Sequence, residues 1–312
     1  MTETPLRETG QTETSRSRRQ KPSRKRRWGD RPDGRLLRTL DPLNRLMPYI
    51  MNTRSGSTNY FHAELDIRAA ERYIRQKRVD GLKGFGILHF FIAAYVRVLS
   101  QRPGINRFIA GQKTYARHNI EVNFTMKKEL TLSGQETVVK IICQPTDTAA
   151  DIFRHVTAAI QEARQVGDSN DVDDTARILG KLPGFVMKFL VWVLKKMDYF
   201  GIMPRSIREI SPFHGSLFIT DLGSINLPPV DHHLYEFGNI PLFISIGPKQ
   251  KETILDKHGQ PFERRFLAFT LSLDERIADG FYFSGIFRML KELFANPERL
   301  EYSPEQVAED VE

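Results

Sequence analysis

The chain has 312 residues, 40% of them apolar and 10% aromatic, with one cysteine and a formal net charge of +8. That length suits one large α/β domain or two smaller ones, and the composition is that of a globular protein. A lone Cys143 excludes an intramolecular disulfide framework and points to the reducing cytoplasm. The surplus charge is local: residues 15–27, SRSRRQKPSRKRR, carry eight Lys/Arg and no acid, and the other 38 bases equal the 38 acids. Residues 1–30 are therefore expected to be a disordered basic tail, 31–302 one folded domain and 303–312 an acidic tail. Residues 15–27 could meet RNA, DNA or an anionic membrane surface, in a salt-sensitive way; a solvated extension is the plainer expectation. No aromatic residue alternates with the bases of that run, which argues against a base-stacking site. There is no signal-peptide core.

In chain order, Leu36–Met51 is interrupted by Pro42 and Pro48 and predicts a short helix and an extended piece. Arg54 precedes a strand over Tyr60–Leu65. Asp66 is placed to cap a surface helix over Ile67–Lys77 with Ile67, Ala70 and Ile74 inward. The Gly81, Gly84, Gly86 group lacks a phosphate-binding spacing and reads as a connection. Phe85–Leu99 is apolar nearly all round, as a core helix should be. Strands follow at 107–110, 114–116, 120–126 and 137–143, the last two joined by a turn at Ser133-Gly134 and ending on Cys143, a buried inert thiol. Thr148 opens an amphipathic helix with Ile152, Val156, Ala159 and Ile160 on one face, and 167–174 is an acidic linker.

Residues 182–197 are apolar but interrupted by Lys188 and fall short of the ~20 residues of a span. The expectation is a helix buried in the core or in an oligomer contact; interfacial anchoring through Trp192, Lys195 and Lys196 is the alternative. Strands are then expected at 215–220 and 241–246, the latter closed by Gly247-Pro248. A hairpin joins 251–255 to 262–273 around Asp256-Lys257-His258-Gly259. Phe269, Leu271 and Leu273 alternate into a charged turn, 274–279, after which the period of 281–294 is helical. The sum is an α+β chain, a mixed sheet with flanking helices.

Three stretches carry a resemblance. Asp274-Glu275-Arg276-Ile277-Ala278-Asp279-Gly280 resembles Asp-His-Arg-x-x-Asp-Gly. Phe218-Ile219-Thr220-Asp221-Leu222-Gly223 is similar to a strand ending Ser/Thr-Asn-Leu-Gly. Leu290–Glu298 resembles a last helix with an Asn-Pro exit. Tyr115–Phe124 and Phe85–Pro103 add to the set, which runs in order over roughly residues 40–300. The chain thus resembles the catalytic domain of the dihydrolipoyl acyltransferases of 2-oxo acid dehydrogenase complexes, and chloramphenicol acetyltransferase.

That resemblance implies a homotrimer with its site between subunits, coenzyme A or acyl-CoA as co-substrate, a small-molecule acyl acceptor, and no metal. It makes Thr220 the oxyanion donor and Asp279 a structural carboxylate paired with Arg54. Glu275 falls where the family has its histidine base. A free carboxylate is a poor base at neutral pH, whereas imidazole is matched to it. Two readings follow: a stand-alone acyltransferase with an atypical site, or a silent pseudo-acyltransferase that acts as a structural, acyl-CoA-binding or partner-binding trimer. His214, His232 and His233 are candidate replacement bases. No lipoyl-type domain precedes the basic tail, so the core of a multienzyme complex is not expected.

Overall fold

The computed structural model describes residues 25–127, 136–165, 182–256 and 258–312. Most of the basic tail, the Ser133-Gly134 turn and the acidic linker therefore lie outside the described residues. Six strands form the main sheet: β2 (Thr58–Asp66), β5 (Ile120–Lys127), β6 (Glu136–Cys143), β7 (Leu217–Asp221), β8 (Leu242–Leu255) and β9 (Pro261–Asp274). Their order is β2-β9-β8-β7-β5-β6, with β7 parallel to both neighbours and the other pairs antiparallel. A separate small sheet pairs β1 (Gly34–Leu36), β4 (Lys113–Arg117) and β3 (Arg107–Ala110) in the order β1-β4-β3.

Alternation along the strands gives the main sheet two different faces. One face carries Val122, Phe124, Ile219, Ile244, Phe269 and Leu271 into the main core. Helices α2 (Arg68–Val79), α3 (Ile87–Gln101), α4 (Ala149–Gln165) and α7 (Gly280–Ala295) contribute their apolar sides to that core. The middle of α3 is buried without interruption from Phe90 to Ser100, as its all-round apolar sequence requires. Phe91 meets Phe269 and Phe294 edge-on, with ring centres 5.4 and 5.6 Å away. The other face bears Asn123, Thr125, Thr220, Ser245, Thr270 and Ser272 with Phe218 and Phe243. A long connection, 226–241, lies over it.

Several local expectations are met with small shifts. The Thr148 hydroxyl donates to the Asp151 carboxylate, which also accepts from Thr148 N, a capping box that starts α4. Asp66 accepts from Arg68 N, but Ile67 holds the cap position of α2. Gly247-Pro248 does not end β8; the strand passes through an irregularity between Ile246 and Lys249 and continues to Leu255. Cys143 is buried, and burial pushes its thiol well above the usual range.

His89 sits in the first turn of α3, stacked 5.6 Å from Phe85, and its Nδ1 accepts from Gly86 N. Burial, helped by Arg78, lowers its pKa to about 4. The unfolded chain takes up this proton first as pH falls. Stability should therefore decline from pH ~6.5 down to about 4, by at most about 3 kcal/mol. Urea denaturation at stepped pH should show this slope reduced in His89→Gln; an unchanged slope would assign it to other groups.

Of the placements expected for residues 182–197, the core is overturned. The helix α5 (Gly184–Tyr199) is not a core helix: Asp198 is its one buried residue among those described. Phe185, Phe189 and Trp192 stand in solvent. The chain's last ten residues are also more than a polar tail. Ala308 N donates to Ser100 O, Asp310 pairs with Arg107 at 2.5 Å, and the Glu312 carbonyl accepts from Arg38 N and Thr39 N. Residues 303–312 thus form a strap from the end of α4's loop to the small sheet, beginning at the Ser303 hydroxyl, which donates to Thr146 O.

Candidate active site

The turn after β9 is fixed from within. Asp274, fully buried, accepts from Arg276 Nε at 2.7 Å and from Arg276 Nη2 at 2.7 Å, a bidentate pair. Arg276 Nη1 donates to Met51 O, joining the turn to the end of α1 (Pro42–Ile50). Glu275 N donates to Ser57 O at the start of β2. With Asp274 and Arg276 both turned inward, Glu275 between them projects outward. Its side chain is exposed and makes no hydrogen bond or ion pair among the described residues. The Arg276 guanidinium therefore does not neutralise Glu275; it is committed to Asp274.

Arg54 and Asp279 are not brought together, contrary to the pairing the resemblance implies. The Asp279 carboxylate accepts from Tyr282 N and caps α7 from an exposed position. Arg54 is buried; its Nη1 donates to Ile240 O, and its Nη2 has no partner among the described residues. Burial lowers its pKa, Asp274 opposes that shift and Arg276 adds to it. Among the described residues Arg54 makes no ion pair with Asp274, whose bidentate partner is Arg276; Arg54 and Asp274 interact only through their charges. Glu236 accepts from Ser55 N and from the Ser55 hydroxyl, tying the 226–241 connection to the chain next to Arg54.

Thr220 ends β7 on the polar face. Its Oγ1 lies 3.2 Å from Thr125 Oγ1 on β5. Asp221, next in line, is partly buried, and burial raises its carboxyl pKa against hydrogen bonds from Ser224 N and Gly223 N. A Cβ on Gly223 would stand 2.5 Å from Gly247 O, so the turn beyond Thr220 needs glycine there. Thr220 pairs with Ser245, and Ser245 with Thr270. Glu275 lies five residues beyond Thr270 and two strands away from β7. Ordinary strand spacings then separate Thr220 from Glu275 by about 15–20 Å in one chain.

None of the three histidines hydrogen-bonds Thr220 or Glu275 among the described residues. His214 is fully buried, bonded to Ser211 Oγ at 2.8 Å and 3.4 Å from Asp198. It belongs to a buried ionic network in which Arg31 pairs with both Asp33 and Asp198, and Asn239 joins Arg117 to Asp33. Against the cost of burial, His214 and Arg31 hold Asp198 down at about 2. His232 stacks on Phe243 with ring centres 3.9 Å apart and on His233 at 4.9 Å; its Nδ1 bonds the His233 carbonyl. Both rings cover the polar face as part of the 226–241 connection. A cavity of about 1070 Å³ opens elsewhere, between the small sheet, the end of β6 and the C-terminal strap, and neither Thr220 nor Glu275 lines it.

Solved structures share this architecture. A probable dihydrolipoamide acetyltransferase of Listeria monocytogenes superposes with a TM-score of 0.52 at 18% identity, covering 87% of this chain and 98% of that one. The dihydrolipoamide acetyltransferase of Azotobacter vinelandii gives 0.54 at 14%, covering 83% and 88%. A truncated catalytic core of the 2-oxoacid dehydrogenase multienzyme complex of Thermoplasma acidophilum gives 0.51 at 14%, covering 84% and 99%. No family model and no curated protein matches the sequence. The chain therefore has the fold of the dihydrolipoamide acetyltransferase catalytic cores, an acyltransferase fold.

Sequence reasoning did not find Thr125 or the structural weight of Asp274. The alternation Val122, Asn123, Phe124, Thr125 did carry the first signal, since it puts two polar side chains on the face that Thr220 shares.

Proposed function

We propose that the chain is an acyl-CoA-dependent acyltransferase whose site forms between copies of itself, with Glu275 of one subunit opposite Thr220 of the next. The observation that carries this is the outward Glu275, held rigidly on a braced turn yet about 15–20 Å from the Thr220 of its own chain. Two groups so placed serve one reaction only if different subunits supply them. A second observation supports an interface at that turn. Helix α1 exposes Leu43, Leu46, Tyr49 and Ile50, and it ends at Met51, whose carbonyl Arg276 holds. A homotrimer that covers α1 would also desolvate Glu275, and burial is what makes a carboxylate a serviceable general base.

In this reading Glu275 removes a proton from a small hydroxyl, amine or thiol acceptor. The acceptor attacks the thioester carbonyl, Thr220 Oγ1 donates to the resulting oxyanion, and coenzyme A leaves as its thiol. The residue type at 275 favours a second reading: a carboxylate replaces imidazole where the resemblance expects a base, as in a trimer that binds acyl-CoA or a partner without turnover.

Thiol release from acetyl-CoA with a panel of small acceptors separates the two readings, and subunit mixing tests the shared site. Glu275→Ala and Thr220→Ala should each abolish release. Co-expressed in equal amounts, they should restore about a quarter of the wild-type rate through mixed trimers. Turnover with no such complementation would place the site within one chain. Calorimetric binding of coenzyme A without turnover would establish the second reading.

A further inference from the structure

Helix α5 is the least explained element of the fold. Its residues Phe185, Lys188, Phe189, Trp192, Lys195, Lys196 and Tyr199 fall on one helical face, at spacings of three and four, and all are exposed. Phe185 is 78%, Phe189 61% and Trp192 54% accessible, and Phe200 and Ile202 continue the patch beyond the helix. Phe189 and Trp192 stack with ring centres 6.0 Å apart, and Lys196 Nζ stands 6.0 Å over the Trp192 ring. No described helix is long and apolar enough to cross a membrane.

The charges say what would cover such a face. Lysines are the charged groups exposed on α5. Its single acid, Asp198, is turned inward and paired with Arg31. Arg31 also donates to the Asp198 carbonyl, so the root of the basic arm is fastened to the C-terminal end of this helix. Three residues before Arg31 stands Trp28, 94% accessible, preceded by Lys25, Arg26 and Arg27. Aromatic rings and flexible lysines without exposed acid on the helix match a surface that is apolar within and anionic outside; of the arm root's bases, Arg27 already faces Glu312 at 3.8 Å, which leaves Lys25 and Arg26. Phe and Trp enter the acyl boundary, and Lys side chains reach the headgroups. In a face-to-face contact a second copy's α5 would bring the same cations and no acid to meet them; a heterologous contact would set α5 against another face, which oligomer mass distinguishes.

We infer that α5, together with the arm root at Lys25–Trp28, is a docking surface for anionic phospholipid bilayers. It holds the protein parallel to the membrane plane, and it stands independently of the acyl-transfer reading.

Trp28 and Trp192 are the chain's two tryptophans, so Trp28→Phe leaves Trp192 as the sole reporter. The full-length protein should co-sediment with vesicles of phosphatidylcholine plus phosphatidylglycerol, and poorly with phosphatidylcholine alone. Emission of the Trp28→Phe variant should shift to the blue on those anionic vesicles. Phe185→Ser/Phe189→Ser should reduce partitioning by about tenfold or more, while light scattering shows an unchanged oligomer mass. Absence of vesicle binding by the full chain would overturn the inference. So would undiminished binding by the double variant, which would leave only the arm's charge. A fall in oligomer mass in the double variant would assign the face to a second copy. Vesicle binding abolished by equimolar RNA without any Trp192 shift would assign the arm to nucleic acid.

Discussion

Asp274→Ala is expected to destabilise the protein by about 3–5 kcal/mol, the usual cost of stranding a buried ion-pair partner. Here Arg276 loses its bidentate partner and the buried Arg54 loses the charge that opposes its burial. Arg276 is bonded to the Asp274 carboxylate through two nitrogens, and Arg54, buried with Nη2 unpartnered among the described residues, relies on its charge. The arginines already repel each other, and Asp274 is what offsets this. The loss should appear as a lower urea midpoint with little change in slope. Asp274→Asn keeps the size and one acceptor, so it should fall between wild type and alanine. A cost below about 1 kcal/mol for Asp274→Ala would mean that water or backbone groups already satisfy both arginines. The same substitution frees the turn that aims Glu275, so an active protein should lose turnover even where it remains folded.

Thr220→Ala should lower kcat for thiol release by about 10²–10³-fold, the effect of removing one oxyanion donor, with KM for the thioester little changed. Thr220 Oγ1 is oriented by Thr125 Oγ1 at 3.2 Å, at the end of a strand whose following turn tolerates only glycine at 223. Thr220→Ser retains the hydroxyl and should stay within about tenfold of wild type. Thr125→Val removes the orienting partner alone and should cost less than Thr220→Ala. Equal rates for wild type and Thr220→Ala would place the oxyanion donor elsewhere. The measurement depends on turnover being present, and binding of coenzyme A by calorimetry checks that the variant still forms its site.

Much of this architecture was legible in the sequence because strand alternation and helical periodicity record which side of an element is dry. Phe269, Leu271 and Leu273 announced β9, and the unbroken apolar run of 85–99 announced α3. The turn chemistry at 274–280 was legible as a site but not in its pairings. Sequence places Arg54 before β2 and Asp279 at the end of the turn; only the fold shows that Arg54 donates to Ile240 O while Asp279 caps α7. Long-range partners of this kind depend on how the turn and β2 meet, which no local spacing encodes. Helix α5 departs from the core placement that its apolar run suggests for a related reason. An apolar run means burial only if something covers it, and the period-3.6 placing of Lys188, Lys195 and Lys196 among the aromatics was the better guide. His214 lies close to Thr220 in sequence, but β7 carries Thr220 away and leaves His214 in the Asp198 network.

The strap at 303–312 links segments that lie far apart in sequence. Arg38 N and Thr39 N find their acceptor at Glu312, and Arg35 and Arg107 meet Asp310. The ladder of the first strand is completed by β4, but Arg38 N, Thr39 N and the Arg35 guanidinium have their partners only once 310–312 are in place. Until then, the arm root that Arg31 fastens to α5 stands on a sheet without its last brace. Closing this corner therefore carries the loop-closure cost of a contact between segments distant in sequence.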